Sequence, residues 1–491
     1  MQKIDQYSID TVGIPGIVLM ERAALAMEEE ILSRFPDPGK VTVVVERGNN
    51  GGDGLALARL LHEDGWRVSV YEIGGVKKAS ESYQTQKRIL THMDVCFCET
   101  LPVESDIWVD GIFGVGLKRE VSGLQKKVIE DLNQKEGIKV SVDVPSGVDA
   151  STGQVLGCAF QADITITFGL SKVGLTLFPG ASYAGKVVVK DIGFPQEAVR
   201  AVNPECITYG EEDLVRLPRR IPQSNKGTYG KALLIAGAKN MAGAAYLSAA
   251  AAYRSGAGLV RIFTCEENRQ ILQTRIPEAI LTTYASQEEA LSLLPEALSW
   301  ASVVGIGPGL GRCTFTRRMC ESVLREGHIP LVIDADGLNV LADWKQERPE
   351  EIRELYGRYD AGMILTPHLM EMSRLTGLSV EWIQKNLLET AKTAADAGHV
   401  YVLKDARTIV SDGGVPTYIN RSGNHGMAKG GSGDVLTGVI CGLLCGGLTI
   451  GEAARLGVYC HGLAGDAAVK TLGTYSMTAD DLVHNLHRAV R

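Results

Sequence analysis

The stretch Gly423-Asn424-His425-Gly426-Met427-Ala428-Lys429-Gly430-Gly431-Ser432-Gly433-Asp434 runs straight into the apolar residues 435–450. A polar, glycine-dense segment followed at once by a continuous apolar run predicts a loop that opens a buried helix. Glycines let backbone N–H groups converge without side-chain obstruction. The first turn of a helix leaves further N–H groups unpaired and carries about half a positive charge. Together these make a cradle for phosphate oxygens or a developing oxyanion. Asp434 stands at its rim, where a carboxylate can take a proton from, or steer, a substrate hydroxyl beside a bound phosphate. The plain alternative is a glycine turn with Asp434 as helix cap. The density of glycine favours the cradle.

A cradle of this kind needs a scaffold, and the chain repeats one pattern throughout: short apolar run, polar strand-end loop, helix. Residues 41–45 end in Gly48-Asn49-Asn50-Gly51-Gly52-Asp53-Gly54, and a helix is expected over 55–64. Residues 107–110 end in Asp110 and lead into Gly111-Ile112-Phe113-Gly114-Val115-Gly116-Leu117, and 138–142 lead into Asp143-Val144-Pro145-Ser146-Gly147. Further on, 303–306 lead into Gly307-Pro308-Gly309-Leu310-Gly311, 330–333 into Asp334-Ala335-Asp336, 363–365 into Thr366-Pro367-His368, and 400–403 into Lys404-Asp405-Ala406-Arg407-Thr408. Continuous apolar strands alternating with helices define an α/β class with parallel sheets covered on both faces. Ligands of such sheets bind at the carboxyl ends of the strands, so Asp53, Asp110 and Asp143 should converge on one crevice. The adjacent Asn49 and Asn50 offer amide oxygens for a hard cation or a ligand amide. His368, in a strand-end loop, is a candidate substrate contact, and Lys404 with Arg407 suits an anionic ligand.

At 491 residues the chain is too long for one domain, and two of about 200–280 residues fit. The proline-punctuated crossing from Phe194-Pro195 to Pro222 places the boundary near residue 210, giving domains 1–208 and 209–491. A first helix is expected over 8–34, with Met20, Ala24, Met27 and Ile31 on one face. The net charge is -8 with no long basic cluster, which disfavours nucleic acid as a partner. Ten scattered cysteines without paired CxxC motifs argue against a zinc ribbon and for reduced thiols. The chain start has no apolar signal core, and 435–450 is too short for a membrane span, so a cytoplasmic protein without membrane attachment is expected. Gly180-Ala181-Ser182-Tyr183-Ala184-Gly185-Lys186 imitates a P-loop, but Val187 replaces the magnesium-holding hydroxyl and a strand-like run follows.

Taken together, Gly48 to Gly54 with Ala58-Arg59, Asp110 to Leu117 and Asp143 to Gly147 resemble the NAD(P)H-hydrate epimerase family, over about residues 1–204. Where that family carries a small residue before Gly48, this chain has Glu46-Arg47. The resemblance implies a Rossmann-like three-layer domain that binds the hydrated dinucleotides NADHX and NADPHX. It implies substrate contacts at Asn49, Asn50, Gly51, Gly52, Asp53, Gly114, Val115, Gly116, Leu117, Lys118, Arg119, Glu120 and Asp143. It also implies potassium on Asn50, Asp110 and Ser146, with Asp143 as the candidate acid–base group.

The second half, about 210–491, resembles the ribokinase-like fold and, within it, ADP/ATP-dependent NAD(P)H-hydrate dehydratase. That likeness rests on Gly307 to Gly311, Asp334-Ala335-Asp336, Thr366-Pro367-His368 with Glu371, and Asn424 to Gly438. It implies hydrate contacts at Ala244, Gly309, Gly311, His368 and the catalytic Asp434. It implies ADP or ATP, carried with Mg²⁺, at Lys404, Asp405, Ala406, Arg407, Thr408 and Gly433. The joint expectation is an isomerase and a lyase on one chain, assembled as a homo-oligomer. The alternatives are a kinase of a small hydroxymethyl heterocycle and a nucleotide-binding sensor with degenerate sites.

Overall fold

The computed structural model describes residues 1–74, 79–395, 399–414 and 416–490. The chain divides into two compact units, Met1–Pro204 and Glu205–Arg491. The break falls slightly ahead of the expected 208/209 boundary, because the short strand at 206–207 joins the second sheet.

The first unit is built on seven strands: β1 (Lys40–Val45), β2 (Arg67–Glu72), β3 (Cys96–Cys98), β4 (Ile107–Gly111), β5 (Ile138–Val142), β6 (Ile164–Phe168) and β7 (Lys186–Lys190). They lie in the order β3-β2-β1-β4-β5-β6-β7, every pair parallel. β4 and β6 are buried along their whole length, as strands with helices on both faces must be. The chain runs outward from β1 in one direction and from β4 in the other, which opens a crevice beyond their carboxyl ends.

Two local expectations change here. The expected helix over 8–34 is two helices, Gln2–Asp10 and Gly16–Arg34. Gly13 turns the chain with φ +86° and Pro15 caps the second helix. After β1 the helix begins at Asn49, not at Leu55, and spans Asn49–Glu63. The glycines are therefore helical. A Cβ on Gly51 would strike the Glu46 carbonyl, one on Gly52 would come 2.5 Å from Met20 Cε, and one on Gly54 would press on Val43 and Val45. Bare residues let this helix start directly against the sheet.

The second unit carries β8 (Cys206–Ile207), β9 (Lys231–Ile235), β10 (Leu259–Cys265), β11 (Ile280–Tyr284), β12 (Val303–Ile306), β13 (Leu331–Ile333), β14 (Met363–Leu365), β15 (Val400–Leu403), β16 (Ile409–Ser411) and β17 (Thr417–Ile419). Their order is β11-β10-β9-β12-β13-β14-β15-β16-β17-β8. The strands from β11 to β15 are parallel. β15, β16 and β17 form an antiparallel meander, which the expected alternation of strands with helices throughout did not include. Short connections over 404–408 and 412–416 permit hairpins where a parallel crossover needs a dozen residues or more. Among the described residues no helix is long and apolar enough to cross a membrane.

The apolar run after the glycine loop forms the helix Ser432–Cys445, buried at every position from Val435 to Cys445. It packs on the alanine-rich helix Ala242–Arg254, and at Gly438 the contact is backbone to side: a Cβ there would overlap the Ser248 carbonyl oxygen and meet Ala251 Cβ at 2.8 Å. Glycine costs a helix interior about 1 kcal/mol against alanine, while overpacking a tight contact costs about 1–3 kcal/mol. The contact outweighs the propensity, because a backbone carbonyl cannot rotate away. Gly438→Val should therefore lower the melting temperature of the unit by several degrees in scanning calorimetry, at about 2–4 °C per kcal/mol; an unchanged or higher value would contradict the packing described.

Candidate active sites

In the first unit the crevice beyond β1, β4 and β5 is a cleft of about 600 Å³. Asn49, Asn50, Asp53, Gly114, Val115, Gly116, Leu117, Lys118, Arg119 and Asp143 line it. Gly51, Gly52 and Glu120 are outside its wall: the two glycines face Glu46 and Met20, and Glu120 lines a neighbouring hollow. Glu46 also reaches the cleft and is buried, with Gln125 Nε2 3.4 Å from its Oε1. Arg47 turns to Glu72, 2.7 Å away.

Asp110 is fully buried at the end of β4. Its Oδ1 accepts from Ser146 Oγ (2.5 Å) and the Ile112 amide (3.2 Å), and its Oδ2 from the Ser146 amide (2.8 Å) and Ser141 Oγ (3.3 Å). These donors favour the charged form, but burial outweighs them and pushes the carboxyl up to about 6. No basic side chain pairs with it among the described residues. Ser146 Oγ also accepts from the Phe113 amide at 2.8 Å. Asn50 rests on the same turn: its Oδ1 lies 2.7 Å from where a Gly114 Cβ would be, and its Nδ2 is buried without a partner. A carboxylate, an amide oxygen and a hydroxyl around one turn form an all-oxygen set with a single charge, the chemistry of a site for a hard monovalent cation. Among the described residues no three His, Cys, Asp or Glu side chains gather into a metal cage.

Asp143 follows β5 in a left-handed conformation, φ +65°. Its Oδ1 is 2.5 Å from Lys172 Nζ and 2.9 Å from Thr167 Oγ1. Lys172 is nine-tenths buried, lines the cleft and was not singled out in the sequence. Its one signal there was position: it follows the apolar run that becomes β6. Across the cleft, enclosure first, then the nearby Asp143 and Asp5, push the Asp53 carboxyl well above its ordinary range.

In the second unit the loops after β9 and β12 close against each other. Gly237 and Ala238 donate their amides to Pro308 O (2.9 Å) and Gly309 O (2.6 Å). Gly309 faces Ala244, whose Cβ is 2.9 Å from where a Gly309 Cβ would be. The Gly311 amide donates to Asp336 Oδ2 at 2.7 Å. Beyond β13, the buried Asp334 accepts from Lys404 Nζ (2.7 Å) through Oδ1 and from Thr437 Oγ1 (2.9 Å) through Oδ2. Burial opposes its charge, but Lys404 overcomes it and holds the carboxyl below its usual range. Gly433 leaves room for this pair: a Cβ there would be 3.3 Å from Lys404 Nζ.

Asp434 occupies the first turn of the helix Ser432–Cys445, after Gly431 in the left-handed region. It is thus a first-turn residue and not the cap. Its carboxyl is pushed up to about 7, by burial first, then by Asp334 and Asp336 against the pull of Lys404. His368 caps the helix Leu369–Thr376: its Nδ1 accepts from the Met370 (3.1 Å) and Glu371 (3.3 Å) amides, and the Glu371 carboxyl returns to the His368 amide at 2.9 Å. Burial, led by Lys404 among the charges, lowers the His368 pKa, and burial lifts Glu371 to about 7. Asp405, Ala406, Arg407 and Thr408 form the β15–β16 connection, Asp405 and Ala406 exposed and Arg407 and Thr408 half-buried. The glycine loop is tied down by Asp466, which accepts from the Gly423 amide (2.8 Å) and Asn424 Nδ2 (3.0 Å). His461 lies beneath it, kept neutral by burial that drops its pKa to about 4. Thr437, His461 and Asp466 were not singled out: all three are interior to helices, where polar residues carry no strand-end signal.

Residues 232–488 match the NAD(P)H-hydrate dehydratase family and residues 16–174 the YjeF-related protein N-terminus. A bifunctional NAD(P)H-hydrate repair enzyme of Moorella thermoacetica is 37% identical over 100% of this chain and 95% of its own. Its counterpart in Thermofilum pendens is 36% identical over 99% of this chain and 94% of its own. The solved structure of a ribokinase-like superfamily protein from Enterococcus faecalis superimposes with a TM-score of 0.50 at 29% identity, covering 58% of this chain and 95% of that one. With both halves matched in order and at full length, the chain belongs to the family of bifunctional NAD(P)H-hydrate repair enzymes.

Proposed function

We propose that the second unit returns hydrated NADH or NADPH to the intact cofactor at the expense of ADP or ATP, with Asp434 as its catalytic base. The observation that carries this is the half-buried Asp434 in a glycine-opened helix turn beside Lys404 and Asp334. Hydroxide is a poor leaving group. Asp434 takes the proton of the ring hydroxyl, whose oxygen bonds to the terminal phosphorus of the nucleotide. The bridging P–O bond breaks and its electron pair leaves with the shortened nucleotide. The new phosphate ester then departs with its C–O electron pair, and loss of the neighbouring C–H proton restores the ring double bond. Gly433 and the other bare amides of the turn stabilise the charge on the phosphate oxygens. Lys404 adds a fixed positive charge, and the 404–408 connection borders the nucleotide. Ala244, Gly309, Gly311 and His368 flank the hydrate. Mg²⁺ carried with the nucleotide would offset the negative charge of its phosphates.

The first unit, on the same reading, interconverts the two hydrate epimers in its cleft, with Asp143 beside the substrate. Asn50, Asp110 and Ser146 would hold potassium, which supplies the positive charge the buried Asp110 lacks. A chiral dehydration site accepts one epimer, so an epimerase on the same chain makes the other usable. A cytoplasmic homo-oligomer is the expected setting.

Incubation of a mixture of both hydrate epimers with ADP or ATP should restore all of the reduced-nicotinamide absorbance. Recovery that stops at one epimer would remove the first unit's role, and a stable phosphorylated product without recovery would mark a small-molecule kinase instead. Epimerisation should run faster in potassium than in tetramethylammonium salts, and Ser146→Ala should shift the dependence to higher potassium; equal rates in both salts would remove the ion from this account.

Dehydration should quicken as pH rises through about 7, since Asp434 must be ionised to accept a proton. Asp434→Asn should slow it by about 10²–10⁴ while nucleotide binding, read by calorimetry, survives. The raised carboxyl also has a stability sign. The native state holds a proton that the unfolded chain has released above about pH 4. The group's stabilising contribution is therefore full below that value and lost as pH rises through about 7. Asp434→Asn should raise the melting temperature more at about pH 8 than at about pH 5; the reverse order would contradict the environment described.

A further inference from the structure

Inverting the hydrate's stereocentre takes two proton carriers. Water adds to the enamine of a reduced nicotinamide at the carbon beside the ring nitrogen, so the substrate is a cyclic carbinolamine. Its centre inverts when the ring opens. The hydroxyl gives up its proton, the C–N bond breaks as a C=O bond forms, and nitrogen takes the electron pair and a proton. Rotation presents the other carbonyl face, and the same transfers run backward. No net proton or electron is consumed.

Resting on the epimerase reading of the first unit, we propose that Asp143 is the base and Asp53 the acid of this ring opening, and that Lys172 is the positioning residue that fixes Asp143. Both carboxyls line the same cleft, Asp53 from the helix after β1 and Asp143 from the end of β5. Lys172 Nζ has three N–H groups and three short contacts: Asp143 Oδ1 (2.5 Å), Thr167 Oγ1 (2.7 Å) and the Phe168 carbonyl (2.9 Å). None remains for substrate, so Lys172 is not itself the proton donor. What it does is anchor one oxygen of Asp143. Thr167 reinforces that oxygen at 2.9 Å, and the Asp143 amide is held by the Ile166 carbonyl at 2.8 Å. Oδ2 receives no hydrogen bond among the described residues and is the oxygen left for a substrate hydroxyl. The left-handed backbone of Asp143, φ +65°, is an arrangement an aspartate keeps only when its surroundings hold it.

Asp53 has the opposite surroundings. No cation pairs with it among the described residues, and enclosure with the neighbouring Asp143 and Asp5 favours its neutral form. Nearby carboxyls that cannot share a cation divide their roles, one charged and one protonated. Lys172 lies on the Asp143 side of that division. The other charged groups facing the cleft are the Met1 α-amino group, Asp5, Glu46, Lys118 and Arg119.

The test is epimer interconversion by the full-length chain across pH, for wild type, Asp53→Asn, Asp143→Asn and Lys172→Met. The melting transition of the first unit in scanning calorimetry reports that each variant is folded, and dehydration of the accepted epimer by the same preparation reports that the second unit is intact. The wild-type profile should be bell-shaped. Asp53→Asn should lower kcat by about 10²–10⁴ with KM little changed, and its residual activity should lose the alkaline limb. Asp143→Asn should lose the acid limb. Lys172→Met should lower kcat with KM little changed, because the Asp143 oxygen has lost its anchor. Asp53→Asn that raises KM at unchanged kcat, or keeps both limbs, overturns the acid assignment. An unchanged kcat, or a raised KM at unchanged kcat, in Lys172→Met overturns the positioning role. A wild-type chain that dehydrates but never interconverts epimers overturns the epimerase reading itself, and this assignment with it.

Discussion

The ion pair between Lys404 and the buried Asp334, 2.7 Å across the carboxyl edge of the second sheet, is the contact on which the rest of that site depends. An ionised carboxylate with 1% of its surface exposed is costly unless its lone pairs are filled. Lys404 fills one side and Thr437 the other, so the pair joins β13, β15 and the helix Ser432–Cys445 through a single carboxyl group. Its charge is then felt next door. Burial first, and then the ionised Asp334 beside it, drive Asp434 toward neutrality, into the range where a carboxyl gains and loses protons near pH 7.

That arrangement is possible because the helix can come close. Gly438 against the Ser248 carbonyl, and Gly442, where a Cβ would lie 2.6 Å from the Ala252 carbonyl oxygen, bring the helix Ser432–Cys445 onto the helix Ala242–Arg254. With that spacing set, the bare first turn has room for Lys404 beside Gly433. Close packing and open amides are thus one design: the small residues that seal the helix pair also leave the helix mouth uncovered. The first unit follows the same logic with Gly51, Gly52 and Gly54, which press a helix start onto the sheet and leave Asn49, Asn50 and Asp53 at the cleft. Both units also pin an acid at a strand end with a lysine, Asp143 by Lys172 and Asp334 by Lys404.

The sequence made most of the scaffold legible. Apolar runs such as Val41 to Val45 and Val400 to Leu403 are read correctly because a strand buried on both faces has no polar residue to confuse its pattern. The strand-end loops were equally plain, and Asn49, Asn50, Asp53, Gly114 to Arg119 and Asp143 do line one cleft. Less legible were the start of the helix at Asn49, hidden because glycine signals a loop as readily as close packing, and the β15–β17 meander, whose short strands are too brief for periodicity. Lys172, Thr437, His461 and Asp466 escaped because each is an ordinary polar residue until its partner, tens or hundreds of positions away, is brought beside it.

By itself the order of residues determined the class, the two-part organisation and the loops where chemistry would gather, since these follow from local hydrophobic pattern and from what glycine and proline permit. Only the tertiary structure decided which acids are charged. Asp110, Asp334 and Asp434 are all acids at or near the edge of a parallel sheet, and nothing local distinguishes them. Asp334 is paired with Lys404, Asp434 is enclosed and then crowded by other carboxylates, and Asp110 is enclosed with neutral donors alone. The protonation of a carboxyl depends on the few ångströms around it, and those are set by folding rather than by neighbours in the chain.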